Sequence, residues 1–271
     1  MASITLSQII TYPIKSTNGL VQQEATVINR GLQYDRHWAI CNEQNQVITG
    51  REHPALMDFS TQIIGEQLHI ENKNGAKTSI PLSVLQRPIV SINLFRNVVP
   101  ALQGFAVADQ WFSSILGFPC RLTFMDASLQ RSIPARHGGL PGDEVAFPDQ
   151  SPILLISEAS LVDLNSRLAS PIGMGRFRPN LVVKGAAAYA EDHWKNIRIG
   201  GCEMEVVKSC QRCVFTTIDP VSKQKHPEKE PLRTLSTYRK VESGGVIFGV
   251  YLIPRKTGVL KLGDEVSTLS L

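Results

Sequence analysis

The stretch that decides the fold lies at residues 210–220 and reads CQRCVFTTIDP. It begins with a Cys-x-x-Cys pair, Cys210 and Cys213, and continues with residues 214–218, an apolar and β-branched run that predicts a strand. A thioredoxin-like site would place such a pair at the start of a helix. A zinc site would need two further sulfur or imidazole ligands, which usually come as a second close pair. The sequence around this pair favours neither site.

Two interpretations of the pair stay open at this level. In the first, both sulfurs are buried thiols that pack like small apolar side chains. In the second, a thiolate binds a soft metal, and the basic residues Lys208 and Arg212 beside the pair favour the thiolate form. The chain has five cysteines, an odd number, which predicts reduced thiols rather than a disulfide scaffold.

The composition is typical of a globular protein. The chain has 271 residues, of which 42% are hydrophobic and 19% charged, and its formal net charge is +4. This small charge and the scattered Lys and Arg argue against a nucleic-acid groove. No apolar run reaches the roughly 18 residues of a membrane span, and no basic start precedes an apolar segment. We therefore predict a cytoplasmic protein with no nucleic-acid or membrane partner.

Local patterns predict a mainly β (α+β) fold with a few short helices. An Asn-Gly turn predicts a hairpin of residues 68–71 and 77–80, because its turn positions tolerate positive φ. Residues 108–116 carry one apolar helical face, and Ser157 is the expected N-cap of a second helix. Alternating βαβ units are not visible, which argues against a doubly wound sheet.

A long segment rich in Gly and Pro, residues 126–149, separates two strand-rich parts of the chain. We expect two β-domains packed together, at residues 1–122 and 123–271. Common catalytic motifs are absent: the sequence contains no GxGxxG, P-loop, HExxH or GxSxG. The six histidines are far apart, which favours surface or structural roles over metal ligation.

Basic residues in turns beside strands are the candidates for binding an anion. Lys15 and Ser16 follow the first apolar run, Arg36 follows a turn, and Arg178 precedes Pro179 and Asn180. Arginine presents a fixed fork of donors that suits phosphate. Taken singly, each of these residues is more often a solvated surface charge.

Six segments, in order along the chain, resemble the MOSC-domain family with its N-terminal β-barrel partner domain. The closest likeness is to the amidoxime-reducing component group, and it covers nearly the whole chain. The segments are YPIKS (12–16), GL…DR (31–36), SEASL (157–161), FRPN (177–180), CQRC (210–213) and TTIDP (216–220).

This resemblance implies a molybdenum cofactor, a pterin dithiolene with a terminal phosphate. It implies that Cys213 is the molybdenum ligand and the catalytic residue, whereas Cys210 is not a ligand. The remaining positions that it assigns to cofactor binding are Lys15, Ser16, Arg36, Ser151, Arg178, Asn180, Arg212 and Tyr251.

The implied reaction is the two-electron reduction of an N–O bond in a small N-hydroxylated substrate, such as an amidoxime. No Cys spacing of the plant ferredoxin type occurs in this chain, so the electrons come from a separate donor, a ferredoxin-like or flavin reductase protein. Relatives that transfer sulfur share the fold, which leaves an alternative in which Cys213 carries sulfur without N–O reduction. Residues 131–149 depart from the group, and Arg131, Arg136 and His137 there equally fit substrate contact or a solvated loop.

Overall fold

The computed structural model describes residues 3–83, 87–242 and 244–269. In these residues, the strands are β1 Thr5–Thr11, β2 Leu20–Gln22, β3 Glu24–Ile28, β4 Gly31–Leu32, β5 Trp38–Asn42, β6 Phe59–Ile64, β7 Gln67–Asn72, β8 Lys77–Pro81, β9 Ile89–Leu94, β10 Asn97–Leu102, β11 Cys120–Phe124, β12 Ile153–Ser157, β13 Leu181–Lys184, β14 Asn196–Ile199, β15 Cys202–Gln211, β16 Ile247–Lys256, β17 Gly258–Lys261 and β18 Val266–Thr268. The α-helices are α1 Ala106–Leu116, α2 Glu158–Ser166 and α3 Leu232–Ser236. The mainly β class predicted from the sequence is confirmed.

The strands form one large sheet and three small ones. The large sheet has eight strands in the order β18-β14-β15-β16-β12-β13-β1-β2. The small sheets are β5-β11-β10-β9, β17-β3-β4 and β6-β7-β8. One apolar core, around Trp38, Phe59 and Phe112, fills the part of the molecule that contains β5 to β11, and a second core lies against the large sheet. Each fully buried large side chain contributes about 1.5–3 kcal/mol.

The predicted hairpin and first helix are confirmed with small changes. Strands β7 and β8 pair from Gln67↔Pro81 to Glu71↔Lys77, and Gly75 in their turn has a φ of 84°. The turn spans residues 73–76 and is longer than the two-residue loop predicted. Helix α1 ends at Gly117, whose φ of 79° allows the left-handed cap that glycine favours.

Ser157 caps α2 as predicted, since its Oγ accepts a hydrogen bond from the Ser160 N–H at 3.1 Å. Strands β12 and β13 are parallel, so β12, α2 and β13 form one βαβ unit that the sequence pattern did not reveal. Helix α2 has only nine residues, too few for a clear apolar period. The unit lies within a mostly antiparallel sheet, and the sheet is not doubly wound.

The strand predicted at residues 214–218 is wrong. Val214–Thr217 form a 3-10 helix that starts directly after Cys213. The Thr216 hydroxyl donates to the carbonyl of Cys213 at 2.9 Å, and the Thr217 hydroxyl donates to that of Val214 at 2.7 Å. These local bonds satisfy the backbone without a sheet partner, which explains why β-branched residues turn here.

The chain crosses between the two cores near its N-terminus. Strands β1 and β2 belong to the large sheet, whereas β5 belongs to the sheet with β11. Two backbone hydrogen bonds join the segment after β1 to the start of β5. The Lys15 N–H donates to the Trp38 carbonyl at 2.8 Å, and the Arg36 N–H donates to the Tyr12 carbonyl at 2.8 Å. The boundary between residues 122 and 123 stays a prediction. Among the described residues, no helix is both long and apolar enough to span a membrane.

Candidate functional site

A cavity lies where the chain crosses between the two cores, and it gathers every residue that the sequence singled out for the cofactor. The predicted residues that line it are Lys15, Ser16, Arg36, Ser151, Arg178, Asn180, Arg212, Cys213 and Tyr251. These positions are spread over most of the chain length. The structure therefore brings them together in space, while their roles stay predictions.

Three of these polar residues have left-handed backbone conformations. The φ angles are 72° at Ser16, 51° at Arg36 and 55° at Arg178. Side chains other than glycine rarely adopt this region, and each instance costs about 1–3 kcal/mol. Such outliers cluster at binding sites, where the surrounding structure holds them. Among the described residues, three of the nine non-glycine residues with positive φ line this one cavity, which supports a functional assignment.

Tyr12 is the buried support for two of the cations. Its ring centroid lies 4.4 Å from the Arg36 guanidinium carbon and 4.1 Å from that of Arg178. The Tyr12 hydroxyl donates to the Pro179 carbonyl at 3.1 Å, which fixes the ring. Burial raises the pKa of Tyr12, although the two arginines oppose this shift. A neutral aromatic ring thus packs between like charges, which is favourable through cation–π attraction.

Asn180 is buried and connects three segments. Its Oδ1 accepts from Arg36 Nη1 at 2.8 Å and from the Leu154 N–H at 3.1 Å. Its Nδ2 donates to the Ile10 carbonyl at 3.1 Å. The amide therefore orients Arg36 and joins β1 to β12 and β13, rather than presenting a free polar group to the cavity.

Three arginines of the cavity each keep one buried nitrogen for which the described residues provide no hydrogen-bond partner. These atoms are Nη1 of Arg176, Nη2 of Arg178 and Nε of Arg212. Other nitrogens of these side chains have partners: Arg178 Nη1 donates to the Thr17 carbonyl at 2.7 Å, and Arg176 Nη2 donates to Asp219 Oδ2 at 2.9 Å. Buried polar atoms are normally paired, so unpaired cationic donors on one cavity indicate a site for an anion.

The charge balance of the cavity points the same way. Burial lowers the pKa of Arg178 to about 10, with Tyr12 opposing the shift and Arg36 adding to it. Burial also lowers the pKa of Lys15 to about 8, against the opposing effect of Asp149. At Lys15 and Arg178 positive charge is thus held at a cost, which an anionic ligand would offset. Arg36 differs, since burial lowers its pKa but Asp35 outweighs burial and raises it.

The exposed thiol of Cys213 is the first member of a series of hydrogen-bonded side chains that continues with Arg51, Asp149 and Lys15. Arg51 Nε donates to Cys213 Sγ at 3.3 Å, and Arg51 Nη2 donates to Asp149 Oδ2 at 2.5 Å. Lys15 Nζ donates to the second oxygen of Asp149. Burial raises the pKa of Asp149, but Lys15 and Arg51 outweigh it and hold that pKa well below its usual range.

Cys210, by contrast, is a buried residue, although it also lines the cavity. Arg212 Nη1 donates to its Sγ at 2.9 Å. Burial, and then the neighbouring Cys210 sulfur, raise the pKa of Tyr251 well above its ordinary value. The two cysteines of the pair therefore have different environments, and only Cys213 of the pair is an exposed sulfur.

Sequence reasoning missed Arg51, Asp149 and Arg176. Arg51 follows Thr49 and Gly50 at the end of a strand-like run, the same kind of signal that drew attention to Lys15 and Arg36. Asp149 lies in the loop at residues 126–149, where no local pattern marks it. Its partner Arg51 is 98 residues away in the sequence.

The loop residues Arg131, Arg136 and His137 differ from one another. Arg131 Nη1 donates to the carbonyls of Ala146 at 2.6 Å and Pro148 at 2.8 Å, so its side chain shapes the loop. Arg136 is exposed, and His137 Nδ1 lies 3.3 Å from Lys208 Nζ. None of the three is among the described residues that line the cavity; Arg136 fits the solvated-loop interpretation, whereas Arg131 is held inside the loop.

Comparisons with known proteins match most of the chain. Residues 3–119 match the MOSC N-terminal beta barrel domain, and residues 142–267 match the MOSC domain. The chain is 34% identical to mitochondrial amidoxime-reducing component 1 of Danio rerio, over 96% of this chain and 83% of that protein. It is also 34% identical to the Homo sapiens protein of that name, over 98% and 83%. Identity to molybdenum cofactor sulfurase of Oryza sativa subsp. japonica is 33%, over 93% of this chain and 33% of that protein.

Proposed function

Because the chain belongs to the family that joins a MOSC N-terminal beta barrel domain to a MOSC domain, the family of the amidoxime-reducing components, we propose that it is a molybdenum-cofactor-dependent oxidoreductase that reduces N-hydroxylated compounds. The observation that carries the proposal is the pairing, on one cavity, of an exposed thiol with three buried arginine donors that lack partners among the described residues.

The residues of the cavity fit a pterin dithiolene with a terminal phosphate. The unpaired donors of Arg176, Arg178 and Arg212 suit an anionic phosphate, and the sulfur of Cys213 suits a soft metal. Lys15, Ser16, Arg36, Ser151, Asn180 and Tyr251 complete the lining on our proposal. The bound cofactor would supply two-electron redox chemistry at its metal.

In this proposal the side chains of this protein bind the cofactor and orient one another at the cavity wall. Asn180 holds the Arg36 guanidinium, and Tyr12 holds both Arg36 and Arg178 at the wall of the cavity. Cys213 supplies its sulfur at the exposed side, where a small substrate has access. Burial of the arginines makes their interaction with an anion stronger than it would be in water.

The electrons and the cellular setting are part of the same proposal. A separate donor, a ferredoxin-like or flavin reductase protein, would deliver the electrons, because the cysteine spacing of this chain suits no iron–sulfur cluster of the plant type. The relatives' names place those proteins in mitochondria, whereas the composition of this chain predicts a cytoplasmic protein.

A second function is a sulfur carrier, favoured by the exposed Cys213 thiol beside Arg51 Nε and by the relative named molybdenum cofactor sulfurase. In that case Cys213 holds a labile sulfur and the protein does not reduce N–O bonds. The two functions share a cavity and differ in what Cys213 binds.

Elemental analysis followed by turnover tests these functions. The protein, produced in a host that makes the cofactor, is expected to contain stoichiometric molybdenum and phosphorus and to reduce benzamidoxime with dithionite as the electron source. Labile sulfur on Cys213 without turnover would favour the sulfur carrier. Protein without molybdenum or phosphorus would contradict cofactor binding. Cys213→Ser tests the role of the exposed sulfur, and Cys120→Ser is its matched control, because Cys120 is buried and is not among the described residues that line the cavity.

A further inference from the structure

Cys213 is exposed, and it precedes a 3-10 helix that turns away from the strand direction. A cysteine side chain has three staggered rotamers, and burial does not select one of them here. A sulfur that is to bind one ligand in one direction therefore needs a contact that selects a rotamer. Arg51 Nε provides such a contact, at 3.3 Å from Sγ.

The guanidinium that makes this contact is itself held on other sides. Arg51 Nη2 donates to Asp149 Oδ2 at 2.5 Å, and its guanidinium carbon lies 4.6 Å from the Phe95 ring centroid. Asp149 is in turn bound by Lys15, whose Nζ also donates to the Phe147 carbonyl at 2.8 Å. Three separate segments of the chain thus fix the orientation of one side chain.

The backbone around Arg51 also packs directly against the segment that carries the cysteine. A Cβ atom built on Gly50 would lie 2.6 Å from Cζ of Phe215, which is closer than real Cβ atoms approach. Phe215 is two residues beyond Cys213. Glycine at position 50 therefore permits the close approach that places Arg51 within reach of the sulfur.

We propose that Arg51 is a positioning residue for Cys213: its fork, anchored on Asp149 and the Phe95 ring, holds the sulfur in one orientation at the cavity. The inference rests on the proposed role of Cys213 as the metal ligand. Arginine suits this task because its planar fork serves the carboxylate and the sulfur at once, whereas a lysine ammonium is a single point charge on a flexible stem.

The first experiment uses the protein without cofactor and measures how fast Cys213 is alkylated by iodoacetate and by iodoacetamide, with peptide mass spectrometry as the readout. The other four cysteines are buried, so the reaction reports on this thiol. The ratio of the two rates cancels the thiolate fraction and reports local charge. Arg51→Gln should lower the ratio about three- to tenfold, while Arg51→Lys should keep it near the wild-type value.

The second experiment compares electron paramagnetic resonance spectra of the partly reduced holoproteins. Both Arg51→Gln and Arg51→Lys should give broadened or multiple signals where the wild type gives one, because neither side chain holds the sulfur and Asp149 together. Arg121→Gln is the matched control, since Arg121 donates to the Glu43 carbonyl at 3.0 Å and is not among the described residues that line the cavity.

An unchanged alkylation ratio in Arg51→Gln, or a wild-type spectrum in both Arg51 variants, would overturn the proposal. Loss of molybdenum from the variants with a lowered alkylation ratio in Arg51→Gln would support it. Failure of the proposed function looks different: the wild type itself would lack molybdenum. In that case an unchanged alkylation ratio in Arg51→Gln still overturns the proposal, whereas a lowered ratio supports its first step, the charge of Arg51 at the sulfur. Thermal unfolding of each variant confirms that it is folded.

Discussion

Replacing Arg178 by methionine removes one positive charge from the cavity and keeps an unbranched side chain. Burial lowers the pKa of Arg178 to about 10, and a lowering of this size corresponds to about 3 kcal/mol spent on keeping the guanidinium charged. The variant no longer bears this cost, but it loses two interactions of the guanidinium. These are the hydrogen bond to the Thr17 carbonyl, about 1.5–3 kcal/mol, and the contact with the Tyr12 ring, about 1 kcal/mol. These opposing effects nearly cancel, so the cofactor-free variant should be about as stable as the wild type.

The holoprotein should respond differently. The Nη2 donor of Arg178 is buried and without a partner among the described residues, so we expect it to bind the anionic part of the cofactor. A charge-assisted hydrogen bond of about 1.5–3 kcal/mol corresponds to a roughly 10- to 150-fold faster release of the cofactor. Arg178→Met should thus lose retention without losing stability.

The assay follows pterin fluorescence in the filtrate of dilute holoprotein over time. Urea unfolding of the cofactor-free protein gives its free energy of unfolding. Arg121→Met is the control, because it removes an arginine whose Nη2 donates to the Glu43 carbonyl. Equal release rates in Arg178→Met and wild type would remove Arg178 from the anion site. A loss of more than about 4 kcal/mol in the cofactor-free variant would refute the burial argument.

Four further outcomes follow from the same geometry. Cys213→Ser should abolish benzamidoxime turnover in a folded protein, because a hydroxyl is a poor soft-metal ligand; full turnover would exclude the ligand role. Cys210→Ser should lower turnover less, since this sulfur is buried and already engaged by Arg212 and Tyr251, and a loss equal to that of Cys213→Ser would contradict this. Asn180→Ala should cost about 2–4 kcal/mol in urea unfolding, because it leaves several buried groups unpaired; a cost under about 1 kcal/mol would contradict this. Burial, with Arg30 adding to it, lowers the pKa of His37 from 6.5 to about 4, so the neutral form is favoured in the native state. The contribution of His37 to the free energy of unfolding is complete above pH 6.5, and about 3 kcal/mol of it should be lost as the pH falls to 4. The urea midpoint of His37→Phe should therefore fall less over this pH range than that of the wild type. Parallel pH profiles of variant and wild type would contradict this prediction.

Local signals in the sequence predicted local structure well. The Ser157 cap, the hairpin of β7 and β8 and helix α1 depend on interactions within a few residues, so the pattern contains the cause. The 3-10 helix at Val214–Thr217 shows where propensity fails: the β-branched residues favour a strand, but threonine hydroxyls satisfy the backbone locally.

Local sequence patterns could not predict the interactions between distant segments. Arg51 showed the same turn signal as Lys15, yet its importance depends on Asp149 and Cys213, which are 98 and 162 residues away. The same holds for the pairing of β1 with β13, which no local pattern encodes. The order of the six family-like segments carried more information about the cavity than the chemistry of any single segment.

The position of β1 also has a consequence for how the protein is made. Strand β1 is translated early, but Asn180, whose amide bonds the Ile10 carbonyl, is 170 residues further along. At 5–20 residues per second, the ribosome needs roughly 10–30 seconds to supply that partner. Strand β3 can pair with β4 early, but its other edge waits longer, since β17 comes late in the sequence. Strand β1 can pair with β2 early, but its other edge lacks β13 through much of translation. Because the cavity lining extends to Tyr251, a prosthetic group that needs the whole lining would be loaded only after most of this sequence has left the ribosome.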